Sequence, residues 1–446
     1  MIADRWREYH GCKQWQGLLE PLDQALREEI IRYGDLAQLT YDAFDGETKC
    51  CIYEEADLLQ LHARLPNRGY KVTKYIYAAP EVHLMPEWLR KWRHKEENHG
   101  TGGGCWVGFI AVMEDEEEIR RIGRRDVVVA WRGTVTKQEW LEDMDGALIE
   151  MPEHHGHGHE ADIHNCDAPG HVGVERGFWT LYASGEHSAR EQVTDEIRRI
   201  VSVYGSDPLH ELSITITGHS LGGALALVSA YDLAALGLDS SVDAAPISVI
   251  SFAAPRVGNA AFKRRLHEDL KVNVLRVVNT HDIVPKVPGI LSHEKDTASQ
   301  PDAVHTHASG REPSWHKILD TMLHVAHSSY IHVGVALHLD NRHSPFLKPS
   351  ASLADAHNLE VYLHLLDAYR STLEPFVDQR RSDSPVHYIG HTNNLHSLSD
   401  SLLHLYVDFL NRNLALVNKS SNLLVDDLQI PPHWWTTFVT TKNTTL

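Results

Sequence analysis

The chain is 446 residues long, with 61 acidic and 42 basic side chains and a formal charge of -19 when its 32 histidines are neutral. Its 42% apolar content and 11 tryptophans suffice for a sizeable core, which excludes a disordered, collagen-like or disulfide-knotted chain. The acidic balance argues against a nucleic-acid partner, because phosphate backbones reward clustered Lys and Arg. It argues equally against capture by anionic membrane through net charge. Length alone suggests about three domains, although α/β folds often run longer as one unit.

The opening segment MIADRWREYHGCKQWQG is polar and charged, with neither the apolar stretch of a secretory signal nor an Arg/Ser-rich, acid-poor transit character. The five cysteines are scattered and odd in number, so a reduced, cytoplasmic protein is the expectation. Residues 21–41 carry Leu22, Leu26, Ile30, Tyr33 and Ala37 at steps of three and four, an amphipathic helix with Pro21 in its first turn. Residues 107–113 and 127–131 read as strands, and the acidic run 114–118 between them as a solvated hairpin connection. The stretch 153–171, EHHGHGHEADIHNCDAPGH, is Gly/His-rich and aperiodic, and reads as a loop.

Apolar runs follow at 212–217, 247–252 and 272–278, separated by helical segments at 186–204, 221–236 and 260–270. Strands alternating with helices make the chain α/β, with a mostly parallel central sheet covered by helices. The most apolar stretch, 221–238, contains Asp232 and has a helical period, so it reads as a buried helix and not a membrane span. A polar stretch at 292–313, a helical period at 402–424 and a packed tail PPHWW at 431–435 complete the chain.

Gly218-His219-Ser220-Leu221-Gly222-Gly223 follows the strand-like LSITIT and precedes the small-residue helix ALALVSAYDLAAL. This is G-x-S-x-G in the strand–turn–helix setting that lifts a serine hydroxyl clear of a sheet. Ser220 is the candidate nucleophile, and the Leu221 N–H at the helix start is one candidate oxyanion donor. A base and a group to orient it should follow in the order Ser, Asp or Glu, His. Asp282 lies just past the end of the strand at 272–279, where functional groups of open α/β sheets gather. For the base, the side chain of His219 is expected to point away at the elbow. His332 lies in a strand-like run and His357 where a loop enters the helix LEVYLHLLDAY, and spacing does not separate these two.

Four blocks together resemble the class 3 lipases, of α/β-hydrolase fold: Ala130-Trp131-Arg132-Gly133-Thr134, the Ser220 elbow, Ala254-Pro255-Arg256-Val257-Gly258-Asn259, and Asn279 to Pro288 around Asp282. The N-terminal block from Trp6, the segment His357-Asn358-Leu359-Glu360-Val361-Tyr362-Leu363-His364 and the closing PPHWW resemble the plant phospholipases A1, in the cytosolic class II branch without a transit peptide. The resemblance implies Ser220 as nucleophile, Asp282 as acid and His357 as base, with Thr134 completing the oxyanion hole beside Leu221. It implies a hydrolase domain at 101–380 with a lid at about 140–172, an N-terminal helical extension at 1–100 and a C-terminal extension at 381–446. Arg256 is read as structural, holding loops near the site. At 174–178 the sequence Val-Glu-Arg-Gly-Phe departs mildly from the family pattern.

Leu141, Met144, Leu148, Ile149 and Met151 offer an apolar lid face for transient contact with a lipid surface. His154, His155, His157 and His159 are spaced like possible metal ligands, but loop histidines between glycines suit solvent better, and a Ser-His-Asp site requires neither metal nor cofactor. The expectation is therefore a serine acylhydrolase of glycerolipids, with phospholipid sn-1 esters implied by the resemblance. Galactolipids or monoacylglycerols are the alternative substrates, and a catalytically silent lipase-like scaffold for protein partners is the alternative function.

Overall fold

Alternate residues along 127–131 join opposite apolar clusters: Val127, Val129 and Trp131 pack on one side of a sheet, Val128 and Ala130 on the other. A strand has this period of two, and both faces here are covered. The computed structural model describes residues 2–46, 48–61, 69–79, 104–134, 147–151, 171–207, 209–237, 245–288, 330–341 and 355–367.

The chain opens with α1 (Ile2–Tyr9) and α2 (Gln24–Asp42), followed by β1 (Tyr70–Ala78), β2 (Cys105–Met113), α3 (Glu116–Ile122) and β3 (Arg125–Trp131). A short ribbon, β4 (Leu148–Glu150) with β5 (Gly173–Glu175), leads to α4 (Arg176–Ala183) and α5 (Ala189–Tyr204). Then come β6 (Leu212–His219), α6 (Leu221–Ala235), β7 (Ile247–Phe252), α7 (Ala260–Arg264), β8 (Asn273–Asn279), β9 (Val335–Leu339) and α8 (Leu359–Asp367). The main sheet has the order β1-β2-β3-β6-β7-β8-β9. It is antiparallel from β1 to β3 and parallel from β3 onward. Helices α2 and α8 cover one face, and α4, α5 and α6 the other. This is the α/β-hydrolase architecture expected, and it sets the carboxyl ends of the parallel strands at one edge.

Local chemistry moves several expected boundaries. Asp23 Oδ1 accepts hydrogen bonds from Ala25 N and Leu26 N, so α2 starts at Gln24 and Pro21 lies outside it. The acidic run is no simple hairpin connection. Asp115 caps α3 by accepting from Glu117 N and Glu118 N, three glutamates fill its first turn, Arg120 and Arg121 its last, and Gly123 ends it at φ 80°. The helix expected over 260–270 is α7 followed by a wider π turn, Arg265–Asp269. Glu175, in the segment that departs from the family pattern, caps α4 by accepting from Phe178 N at 2.8 Å.

Of the proposed lid face, Ile149 and Met151 are core residues, in one cluster with Val174 and Phe178. The ribbon explains this, since Met151 N donates to Val172 O and draws the segment onto the body. Leu141, Met144 and the histidines from His154 to His159 lie outside the described residues, as do the stretches 292–313 and 381–446. Among the described residues, no helix is long and apolar enough to cross a membrane.

At the amino ends of the strands, α2 plugs into a buried polar network. Arg124 Nη2 bonds Glu29 Oε2 and the Tyr33 hydroxyl, each at 2.7 Å. Asp126 accepts from Tyr33 at 3.0 Å, Tyr70 at 2.6 Å, Ser213 at 2.9 Å and Thr215 at 3.0 Å. Burial alone would raise the Glu29 carboxyl, but the Arg32 and Arg124 guanidiniums outweigh it and bring the pKa down to about 2. His10 is held between Thr215 Oγ1 and Ser248 Oγ, and burial drives its pKa well below the usual imidazole range.

Candidate active site

Strand β6 delivers its chain into a turn that only small residues allow. A Cβ on Gly218 would lie 2.3 Å from Gly222 O, and one on Gly222 would lie 2.4 Å from Trp131 O. Between them Ser220 has φ 60° and ψ -126°, a backbone state that a side-chain-bearing residue adopts only under strain. The turn is pinned by Ser220 N donating to Phe252 O on β7 and by Gly223 N returning to Ser220 O. The hydroxyl therefore stands at the head of α6, where first-turn N–H groups have no intrahelical acceptor.

Two further segments converge on that hydroxyl. His357 Nδ1 lies 2.7 Å from Asp282 Oδ2, and His357 Nε2 lies 2.9 Å from Ser220 Oγ. A carboxylate accepts only, so Nδ1 carries the hydrogen, and Nε2 presents its lone pair to the serine hydroxyl. Asp282 is fully buried just past β8, and its charge is met by three donors: His357, the Tyr362 hydroxyl at 2.6 Å to Oδ2, and Val284 N at 2.9 Å to Oδ1. Tyr362 reaches it from α8 and accepts in turn from Asn279 N at 3.0 Å. Burial and then the Asp282 charge raise the Tyr362 phenol well above its ordinary pKa, so it serves as a donor.

The family-like blocks have visible local work. Asn358 accepts from Glu360 N at 2.8 Å and starts α8 directly after His357. Asn279 Nδ2 donates to Ala356 O, tying the histidine's loop to the end of β8. Arg256 Nη1 donates to the carbonyls of Lys286 and Pro288, bracing the loop that follows Asp282, in keeping with its structural reading. Asn259 caps α7 through Phe262 N and also bonds Gly173 N and His171 O.

Of the remaining expected residues, Leu221 opens α6 and Thr134 is buried beyond the end of β3. The turn carrying Thr134 is drawn against the elbow by the close passage of Gly222 under Trp131 O, and Arg132 braces it by donating to Trp106 O and Gly133 O. His332 is not brought to Ser220. It lies against Pro285, and burial first, then Arg276 and Arg256, lower its pKa to about 3. His219 does not point away as expected: its Nε2 lies 2.9 Å from His357 O and its ring centroid 4.6 Å from that of His357. Among the described residues, no group of three or more His, Cys, Asp or Glu is arranged to hold a metal ion.

The family Lipase (class 3) matches residues 128–292, the segment holding both the elbow and Asp282. Over 451 residues the chain is 39% identical to Phospholipase A1-Igamma2, chloroplastic, of Arabidopsis thaliana, covering 97% of this chain and 73% of that protein. The chain belongs to the class 3 lipases. It is 40% identical over 389 residues to Phospholipase A(1) DAD1, chloroplastic, of the same plant, covering 85% of this chain and 80% of the relative. With Galactolipase DONGLE, chloroplastic, also from Arabidopsis thaliana, it shares 36% identity over 379 residues, covering 82% and 70%.

The protein is thus a serine ester hydrolase with phospholipase A1 relatives. The expectation of a cytoplasmic location is overturned, and that of the class II branch is not supported, since the relatives at 38–39% identity over 97% of this chain are chloroplastic phospholipases A1. That expectation rested on the first residues of the chain. They carry no argument about compartment when such relatives extend beyond the matched region.

Proposed function

We propose that the protein hydrolyses fatty acyl esters of glycerolipids, phospholipids at the sn-1 position foremost, through an acyl-enzyme on Ser220. The observation that carries this reading is the unbroken line of hydrogen bonds from Ser220 Oγ through His357 to Asp282. His357 Nε2 takes the hydroxyl proton as Ser220 Oγ attacks the ester carbonyl. The Asp282 carboxylate stabilises the imidazolium, and the three donors on Asp282 hold it in place. Leu221 N–H and Thr134 receive the oxyanion, and one such donor is worth about 10²–10³ in turnover. Collapse breaks the ester C–O bond, His357 returns the proton to the leaving alkoxide, and a lysolipid departs. His357 then activates water, which releases the fatty acid and restores Ser220.

Phospholipid as substrate is supported by the phospholipase A1 names of the relatives. Galactolipid is the second reading, supported by the galactolipase among them. The experiment is hydrolysis of phosphatidylcholine carrying different labelled acyl chains at its two positions, beside a galactolipid labelled in the same way. Wild type should release mainly the sn-1 chain and Ser220→Ala neither chain. Equal release by both proteins defeats the assignment of Ser220, mainly sn-2 release defeats the positional assignment, and faster turnover of the galactolipid selects the second reading.

A further inference from the structure

Helix α2 covers one face of the sheet, yet its last turn reaches the reacting groups. The Tyr41 hydroxyl lies 2.8 Å from His219 Nδ1, and the same oxygen is 3.3 Å from the His219 carbonyl. The other nitrogen of that ring, Nε2, lies 2.9 Å from His357 O. A carbonyl only accepts, so His219 Nε2 carries the hydrogen; in the neutral ring Nδ1 is then the acceptor, and Tyr41 donates to it. The His219 and His357 rings face each other at 4.6 Å with 35° between their planes. Tyr362, the donor to Asp282, touches the His219 ring edge-on with centroids 6.2 Å apart. The Tyr41 hydroxyl also abuts the turn that carries Thr134, where the Gly133 backbone bonds it and a Cβ on Gly133 would stand 2.1 Å from it.

We propose that Tyr41 and His219 are positioning residues of the hydrolase: Tyr41 orients His219, which holds the backbone and ring of His357 in line with Ser220. This rests on the Ser220–His357–Asp282 reading above and extends it to the N-terminal helix. The base must keep Nδ1 on Asp282 and Nε2 on Ser220 through two proton transfers, so a small rotation costs rate without altering where lipid binds. His219 supplies one hydrogen bond to the main chain and one flat surface to the ring. Tyr41 holds the Nδ1 edge of the ring, which fixes the Nε2 edge on His357 O. Because Tyr41 touches the Gly133 turn as well, one side chain aligns the base with the turn bearing Thr134.

The test is steady-state hydrolysis of a labelled phosphatidylcholine by Tyr41→Phe, His219→Phe, His219→Gln and the Tyr41→Phe/His219→Phe double variant, with Ser220→Ala alongside. His219→Phe keeps the flat ring but loses both hydrogen bonds, and kcat should fall about tenfold or more with KM within about twofold. His219→Gln can return a donor to His357 O and should recover most of that loss, which a generic packing role would not allow. Tyr41→Phe should lower kcat by about threefold to tenfold, and the double variant should lose clearly less than the product of the two single losses, since the Tyr41–His219 contact is shared by both. Wild-type kcat in His219→Phe and Tyr41→Phe overturns the proposal. So does a loss confined to KM. If His219→Phe does not fold, Tyr41→Phe, which removes one oxygen, decides by the same criterion. Activity surviving in Ser220→Ala would instead defeat the triad reading, so the two failures are distinguishable.

Discussion

Two buried polar clusters, at opposite ends of the same strands, are both reached by α2. At the amino ends, Glu29 and Tyr33 meet Arg124, with Asp126 and its ring of hydroxyl donors close by. At the carboxyl ends, Tyr41 meets His219, with His357, Ser220 and Asp282 beyond it. The residue types are similar, but the arrangements are not. In the first cluster carboxylate faces guanidinium, and Glu29, Tyr33, Asp126, Ser213 and Thr215 sit on regular helix and strand. In the second, the serine backbone is strained at φ 60°, and Nε2 offers its lone pair to a hydroxyl. A buried network with every charge answered holds a fold together, whereas one that ends in an activated hydroxyl on a strained turn is built to react.

That contrast can be broken from either end. The largest effect is expected from Asp282→Asn, which leaves His357 without the acceptor that fixes its tautomer. Turnover should fall by about 10⁴ with the unfolding midpoint nearly unchanged, as read by lipid hydrolysis beside calorimetry. Next, Glu29→Gln should do the opposite, removing about 3 kcal/mol of stability in denaturant titration, because Arg124 and Arg32 lose their buried counter-charge, while kcat of the folded fraction stays near wild type.

Acid should separate the groups in sequence. His10 and His364 are kept neutral by burial, with folded pKa values below the usual 6.5 and, for His364, about 4. Their contribution is therefore complete above about pH 6.5 and is lost as the pH falls below that value. Glu29, depressed from 4.5 to about 2, adds stability above pH 4.5 that disappears as the pH falls toward 2, about 3 kcal/mol in all. A stability-versus-pH series should show both falls in wild type and a smaller second fall in Glu29→Gln, where Glu118 and Glu196, also lowered, against burial, by their arginine partners, still titrate. The smallest effect should come from Ser220→Gly. It removes the nucleophile and also relieves the strained φ, so the inactive variant should be more stable than wild type by about 1 kcal/mol.

The parts of this molecule legible in sequence are those fixed over a few residues. The elbow is one, because strand, glycines, serine and helix are contiguous; Asp282 is another, because the end of a parallel strand predicts where acid groups gather. Spacing does not separate His357 from His332, because the deciding contact joins Ser220 to a residue 137 positions away. The surroundings of His219 are hidden for a related reason: its partners are Tyr41, 178 positions earlier, and His357 O, 138 positions later. Strand β1 is not legible in sequence because exposed Lys71 and Lys74 interrupt its apolar side chains at the edge of the sheet. The helix α3 was hidden in an acidic run whose meaning comes from its cap and flanking arginines rather than from apolar period.

The most direct measurement of the central claim is mass spectrometry of the protein after reaction with a fluorophosphonate, which phosphonylates an activated serine. The arrangement of Ser220, His357 and Asp282 predicts a single adduct on Ser220, its formation slowed by at least about 10³ in His357→Ala and not in His332→Ala. An adduct on any other residue accompanying loss of activity, or unchanged labelling of Ser220 in His357→Ala, would contradict it.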